Sequence, residues 1–143
     1  QLIDEYFQTY SGIKNYIDET LAFAKDFGFV KTIYGRKKKT KFLNTNNRMA
    51  AQAESRAAIN MPIQGSASEM IKLAMIRIHQ KLISNNFKSK MTMQVHDELV
   101  FEVPEDEVDK LSKMVVKEME NAIPLKVPVK VDTGIGENWF EAH

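Results

Sequence analysis

The sequence predicts an α+β fold containing an antiparallel sheet, on three observations. Apolar residues recur at helical spacing in several long stretches of the 143 residues. Two short β-rich runs, 90–95 and 99–103, flank a polar tip, as in an antiparallel hairpin. A further β-rich run, 127–133, follows another helical stretch, so from residue 64 onward the order is α, β, β, α, β. A split βαβ sheet of the ferredoxin type reads β, α, β, β, α, β. The chain shows that order without its first strand, which is expected of a part of something longer.

Taken in order, Leu2, Ile3, Tyr6, Phe7 and Tyr10 share a helical face, Ser11-Gly12 interrupts it, and Ile13, Tyr16, Ile17, Leu21 and Ala24 resume it as far as Gly28. Two helices with a short break are expected. Residues 29–34 are β-rich and precede Gly35, so the lysine-rich run that follows is expected to form a hairpin or loop returning near 41–43. Asn46 or Asn47 can cap a helix running to about Ile59. Pro62 is expected to break or kink it, because proline lacks the N–H and crowds the preceding turn, with a new helix from about Gln64. That helix carries the stripe Ala67, Met70, Ile71, Ala74, Ile78, Leu82 and ends at Ser84-Asn85-Asn86. Its methionines read as core filler. The strands at 90–95 and 99–103 meet at a tip formed by the pair His96-Asp97 or Asp97-Glu98. Pro104-Glu105-Asp106-Glu107 is a helix start, with proline suited to the first turn and the acids to the positive end of the helix dipole. Val108, Leu111, Val115, Met119 and Ala122 form that helix's apolar stripe. Gly134 and Gly136 turn the chain into Trp139 after the last strand.

The absence of cysteine excludes a disulfide scaffold, a thiolate zinc site and a cysteine nucleophile, and fits a reducing compartment. No apolar run approaches the roughly 20 residues that span a bilayer. Residues 1–10 carry Asp4 and Glu5 where a signal peptide is basic and then apolar. A soluble, intracellular chain with no membrane partner is expected. The net charge of +1 hides a segregation. Between residues 31 and 48 there are seven basic residues (Lys31, Arg36, Lys37, Lys38, Lys39, Lys41, Arg48) and no acid, whereas 97–120 holds nine acids against three lysines. A basic run flanked by Tyr34 and Phe42 suits a polyanion, since each neutralised phosphate releases counterions. It also suits a solvated hairpin, and composition does not separate the two.

Three groups of residues can carry chemistry. Asp97 and Glu98 are adjacent carboxylates at a strand tip, where a hard divalent cation such as Mg²⁺ takes one or two carboxylates with water and substrate phosphates. A two-metal site needs a further carboxylate that the neighbouring sequence does not supply. Ordinary turn residues are the alternative. His96 beside them reads as a ligand, a general acid, a phosphate contact or a structural residue. Arg56, Asn60 and Gln64, spaced by four and four, put three hydrogen-bond donors along one helix face. Such donors can reach the acceptors that every base pair shows in the minor groove, and so read pairing geometry without reading sequence. The alternative is a polar helix face. Gly134-Ile135-Gly136 lacks the third glycine of a dinucleotide fold, and Gly65-Ser66-Ala67-Ser68 does not match a nucleophile elbow.

The ordered set of motifs resembles one family. Gln94-Val95-His96-Asp97-Glu98-Leu99-Val100-Phe101-Glu102 is similar to motif C of the family A DNA polymerases, the DNA polymerase I type. Arg56 to Gln64 (RAAINMPIQ), followed by GSASEMIKLAM, resembles the stretch that family carries just upstream. Gly28-Phe29-Val30 with Thr32-Ile33-Tyr34-Gly35-Arg36 resembles its fingers-to-palm hairpin, and Thr133-Gly134-Ile135-Gly136-Glu137-Asn138-Trp139 its C-terminal ending. Ser66, Ser68 and Glu69 differ from the family's Gly-Thr-Ala-Ala-Asp form, and Gly-Arg-Lys-Lys-Lys is more basic than is common there.

The resemblance implies a C-terminal part of a template-directed DNA polymerase in replication and repair: 1–62 as fingers-derived helices and the basic hairpin, 63–143 as the C-terminal part of a palm. It implies that Asp97 is one of two metal-holding aspartates, with Glu98 an accessory acid and two Mg²⁺ ions in the complete site. His96 would contact the primer terminus, Arg56, Asn60 and Gln64 the minor groove or template, and Arg36 and Lys37 the duplex backbone. The partners implied are primer-template DNA, deoxynucleoside triphosphates and the remaining N-terminal palm, fingers and thumb. The location implied is the bacterial cytoplasm, at the nucleoid. Motif A, with the other aspartate, and the fingers helix that grips the triphosphate have no counterpart in the 143 residues. The isolated chain is therefore expected to be inactive. The alternatives are a non-catalytic DNA-binding module and a metal-dependent nuclease.

Overall fold

The computed structural model describes residues 2–142. In chain order it contains α1 (Leu2–Thr9), α2 (Ser11–Phe27), β1 (Phe29–Lys31), β2 (Lys37–Lys39), α3 (Arg48–Ser84), β3 (Lys90–Val95), β4 (Glu98–Glu102), a 3₁₀ turn (Glu105–Glu107), α4 (Val108–Glu120) and α5 (Trp139–Ala142). The chain divides into two compact units, Gln1–Ser66 and Ala67–His143, with the division inside α3. The α+β expectation holds, with two small antiparallel sheets.

In the first unit the expected break between helices falls at Tyr10, one residue before Ser11-Gly12. Helix α2 stops at Gly28, whose φ of +74° is the left-handed conformation that glycine adopts without steric cost, and whose N–H donates to Ala24 O. Strands β1 and β2 pair in the register Phe29↔Lys39, Val30↔Lys38, Lys31↔Lys37. The lysine run is therefore itself the returning strand, four residues earlier than expected. Thr32 causes this early reversal: its side-chain oxygen accepts the Arg36 N–H, its own N–H donates to Arg36 O, and Gly35 N–H donates to its carbonyl. Ala24, Val30, Leu43 and Ala58 are buried together, with Leu21 and Met61 against them.

Asn47 caps α3, its side-chain oxygen accepting the N–H groups of Met49 and Ala50 at 3.1 and 3.2 Å. The helix then runs through Pro62 without a break, which corrects the expectation of two helices. A proline removes one backbone hydrogen bond at a cost of about 3 kcal/mol. Here Ala58 and Met61 are held in the apolar cluster on one side of it, and Ser66 Oγ donates to the Pro62 carbonyl on the other. Ser66 Oγ also accepts the Ile33 N–H at 3.0 Å, so the β1–β2 turn is fastened to α3. Gly65 permits that approach, since a Cβ there would lie 2.6 Å from Thr32 Cγ2.

In the second unit, Ala74, Ile78 and Leu82 of α3 pack with Leu111 and Val115 of α4 and with Ala122. Met70, Met91, Leu99, Phe101, Val103, Met114 and Met119 lie against that cluster, whereas Ala67 from the expected stripe is exposed. Buried Glu118 interrupts the apolar face of α4 and pairs with Lys81 at 2.5 Å. Glu107, at the helix start that Pro104 announces, accepts the N–H groups of Lys88 and Ser89, each at 2.9 Å, and the Ser89 hydroxyl. These donors, led by the Lys88 N–H, hold its carboxyl below the usual carboxylate range. Residues 127–133, expected as a strand, pair with no other strand among the described residues. They include Pro128, which removes a ladder donor, and end before Gly134, and among the described residues no strand offers them an edge.

Candidate metal and nucleic-acid sites

The β3–β4 hairpin positions His96, Asp97 and Glu98. Val95 pairs with Glu98, leaving His96-Asp97 as a two-residue loop. A loop of this length needs positive φ at its first position to match the twist of the strands, and His96 supplies it at +52°. Glycine is the residue that adopts this conformation freely, so an imidazole is retained here against a backbone cost of about 1 kcal/mol. The side-chain amide of Gln94 donates to the His96 carbonyl and ties down the loop. Thr92 is the extra residue of a bulge between the Met91↔Phe101 and Met93↔Val100 pairs, and its hydroxyl donates to Val100 O at 3.2 Å. A bulge adds twist and re-aims the residues beyond it, which here are the loop residues. His96 and Asp97 are exposed, and Glu98 is half-buried at the start of β4.

Among the described residues no group of three or more His, Cys, Asp or Glu side chains converges on a point. The hairpin thus offers two adjacent hard oxygen donors, a set that fits a share in a Mg²⁺ site completed by water, phosphate and further carboxylates. It does not fit a closed site for a structural metal.

In the first unit, Arg56, Asn60 and Gln64 are all exposed on α3. Because Pro62 does not interrupt the helix, the four-residue spacing is preserved, and the three donors form one stripe roughly 12 Å long at 1.5 Å per residue. Arg36 is exposed at the end of the β1–β2 turn, its N–H held by Thr32. Lys37 is exposed with its ammonium 4.3 Å from the centre of the Phe29 ring. Lys38 faces the other way and pairs with Glu54 at 2.8 Å, so it is already neutralised. The sequence presented Gln94, Thr32 and Ser66 only as members of longer motifs, without these positioning contacts, and did not single out Thr92 or Glu54. For these contacts only Glu54 had a visible signal, as an acid in the second turn of a helix that follows a basic strand.

The family model for DNA polymerase family A matches residues 1–141. Over 141 residues, 99% of this chain, the sequence is 48% identical to a DNA polymerase I of Caldicellulosiruptor bescii, of which it covers 17%. It is 44% identical to a DNA polymerase I of Deinococcus radiodurans over 97% of this chain and 14% of that protein. The chain thus spans about a sixth of the length of the curated relatives it matches. A solved structure, the POL domain of Pol1 from M. smegmatis in complex with DNA primer-template and dNTP, matches with a TM-score of 0.95 and 39% identity, over 98% of this chain and 25% of that one. On the family model and on relatives matched along almost its whole length, the chain belongs to DNA polymerase family A.

Proposed function

We propose that this chain is the C-terminal part of a template-directed DNA polymerase, with residues 1–62 serving as fingers-derived helices and basic hairpin and 63–143 as the distal palm. The observation that carries the reading is the His96-Asp97 loop, where a non-glycine residue in the left-handed region and an exposed acid share a two-residue turn behind a bulge. Local backbone cost of this kind is retained where a side chain is needed at that point. Asp97, with Glu98 as an accessory acid, holds part of a divalent-cation site for Mg²⁺. When bound, the cation supplies neutralisation of the charge that develops in phosphoryl transfer to the primer 3′-hydroxyl.

The remaining roles belong to this chain's own side chains. His96 contacts the primer terminus from the same loop. Arg56, Asn60 and Gln64 donate into the minor groove of the last base pairs, where acceptors occur at equivalent places on every pair. Arg36 and Lys37 contact the duplex backbone and add salt-dependent, sequence-independent affinity. The partners are primer-template DNA and deoxynucleoside triphosphates, together with the palm strand bearing a second aspartate, the rest of the fingers and the thumb. The palm order ββαβ is completed when residues 127–133 pair with a strand supplied from elsewhere in the polymerase. The setting is the bacterial cytoplasm, at the nucleoid.

The decisive experiment is Asp97→Ala in the complete polymerase carrying this segment. Primer extension should fall by orders of magnitude while duplex affinity is kept; near-normal turnover would remove Asp97 from the metal site. A non-catalytic DNA-binding module predicts instead that extension is indifferent to Asp97 and sensitive only to the basic hairpin.

A further inference from the structure

One face of the β1–β2 hairpin carries a charge arrangement that the duplex contacts do not explain. Side chains alternate across a strand, so Lys38 lies on one face with Glu54, and Lys37 and Lys39 lie on the other. Lys31 is directly opposite Lys37 in the register, and Phe29 is opposite Lys39. Like charges placed directly across a ladder are destabilising. Lys31, Lys37 and Lys39 make no ion pair among the described residues, whereas Lys38 on the opposite face has one.

What Lys31 and Lys37 meet is an aromatic ladder. Phe27, Phe23 and Phe29 follow one another, with ring centres 4.6 Å apart and tilted by 33° in the first pair, then 5.5 Å apart and perpendicular in the second. The Lys37 ammonium sits 4.3 Å from the Phe29 centre and that of Lys31 sits 6.0 Å from the Phe23 centre. The far end of the ladder is open: Phe27 is 63% exposed, although it is a large apolar ring. Cations along a strand beside an accessible ring are the components of a single-stranded nucleic-acid platform, in which a base stacks on the ring and flanking phosphates meet the cations. A duplex, whose bases are already stacked on one another, has no use for the exposed ring.

We propose that Phe27, with Lys31, Lys37 and Lys39, binds single-stranded DNA. The proposal goes beyond the duplex contacts above, sharing only Lys37 with them, and stands on this hairpin face. Charge complementarity selects a polyanion, and the open ring selects unpaired bases.

Fluorescence anisotropy with a labelled oligo(dT) strand and with a duplex of the same length tests it on this chain. Phe27→Ala should weaken strand binding by about fivefold or more while leaving duplex binding within about twofold. Phe27→Trp, which keeps a stackable ring, should retain strand binding and show quenching of the introduced indole's emission by the bases. Lys31→Glu with Lys39→Glu should weaken strand binding further. Strand affinity that is unchanged in Phe27→Ala, or that falls in step with duplex affinity, would overturn the proposal. So would indole emission from the Phe27→Trp variant that stays unquenched at saturating strand. None of these substitutions touches Arg56, Asn60 or Gln64, so failure of the minor-groove reading appears separately, as duplex affinity and extension indifferent to changes at those three positions.

Discussion

His96 sits in a backbone region that costs a non-glycine residue about 1 kcal/mol, inside a loop of two residues. His96→Gly should therefore raise hairpin stability by up to about 1 kcal/mol in a denaturation series, while primer extension by the complete polymerase slows. A variant that is both less stable and fully active would show that the imbalance between stability and function has been misplaced. The residues of this site were legible one by one: His96, Asp97 and Glu98 from their place between two strands, and Arg56, Asn60 and Gln64 from their spacing. The positive φ of His96 was not legible, because it follows from the number of residues left over when Val95 pairs with Glu98. That number depends in turn on the bulge at Thr92, a matter of register that side-chain pattern does not display.

At the scale of elements, the contact between the β1–β2 turn and α3 joins the basic hairpin to the helix that carries Gln64. It depends on Gly65 being bare and on Ser66 taking the Ile33 N–H. Gly65→Ala should cost about 1–3 kcal/mol, the usual range for overpacking. Most of that loss should be recovered in the double variant with Thr32→Ser, which deletes the colliding methyl and keeps the hydroxyl that holds Arg36. A double-mutant cycle by urea denaturation measures it, and additive losses would contradict the contact.

Glu107 makes a second prediction at this scale. Its carboxyl titrates below the usual range because donors from Lys88 and Ser89 favour the ionised form. Its contribution is therefore complete above the unfolded-chain value and is lost as pH falls through the lower folded value. The stability difference between the native chain and Glu107→Gln should be largest at neutral pH and shrink on acidification, as measured by denaturation midpoints across pH. A constant difference would assign the effect to packing.

For the molecule as a whole, residues 127–133 carry a strand-like sequence and have no strand beside them among the described residues. In the complete polymerase their backbone amides should exchange slowly with deuterium, and in this chain they should exchange fast. Equal protection in both would mean that the segment is not part of a completed sheet. The chain alone, with Mg²⁺, primer-template and nucleotides, should give no templated extension if, as proposed, Asp97 and Glu98 are only a share of its cation site, since two-metal chemistry needs further ligands. Extension by the isolated chain would overturn that assignment.

Local signals determined a good deal by themselves: the helix ends at Gly28 and Ser84, the Asn47 cap, the hairpin with its acidic tip, and the Pro104 start, each a matter of a few neighbouring residues. Tertiary structure decided three things against or beyond them. Pro62 stayed within one helix because packing at Ala58 and Met61 and the Ser66 hydroxyl hold the turns on either side of a single lost hydrogen bond. Of the seven basic residues between 31 and 48, four fell on the two strands of one hairpin, Lys38 neutralised on one face and Lys31, Lys37 and Lys39 on the other, because a strand sends alternate side chains to opposite faces and only one face meets Glu54. The strand-like residues 127–133 remained without a ladder, because a strand is a relation between two segments and sequence supplies only one of them.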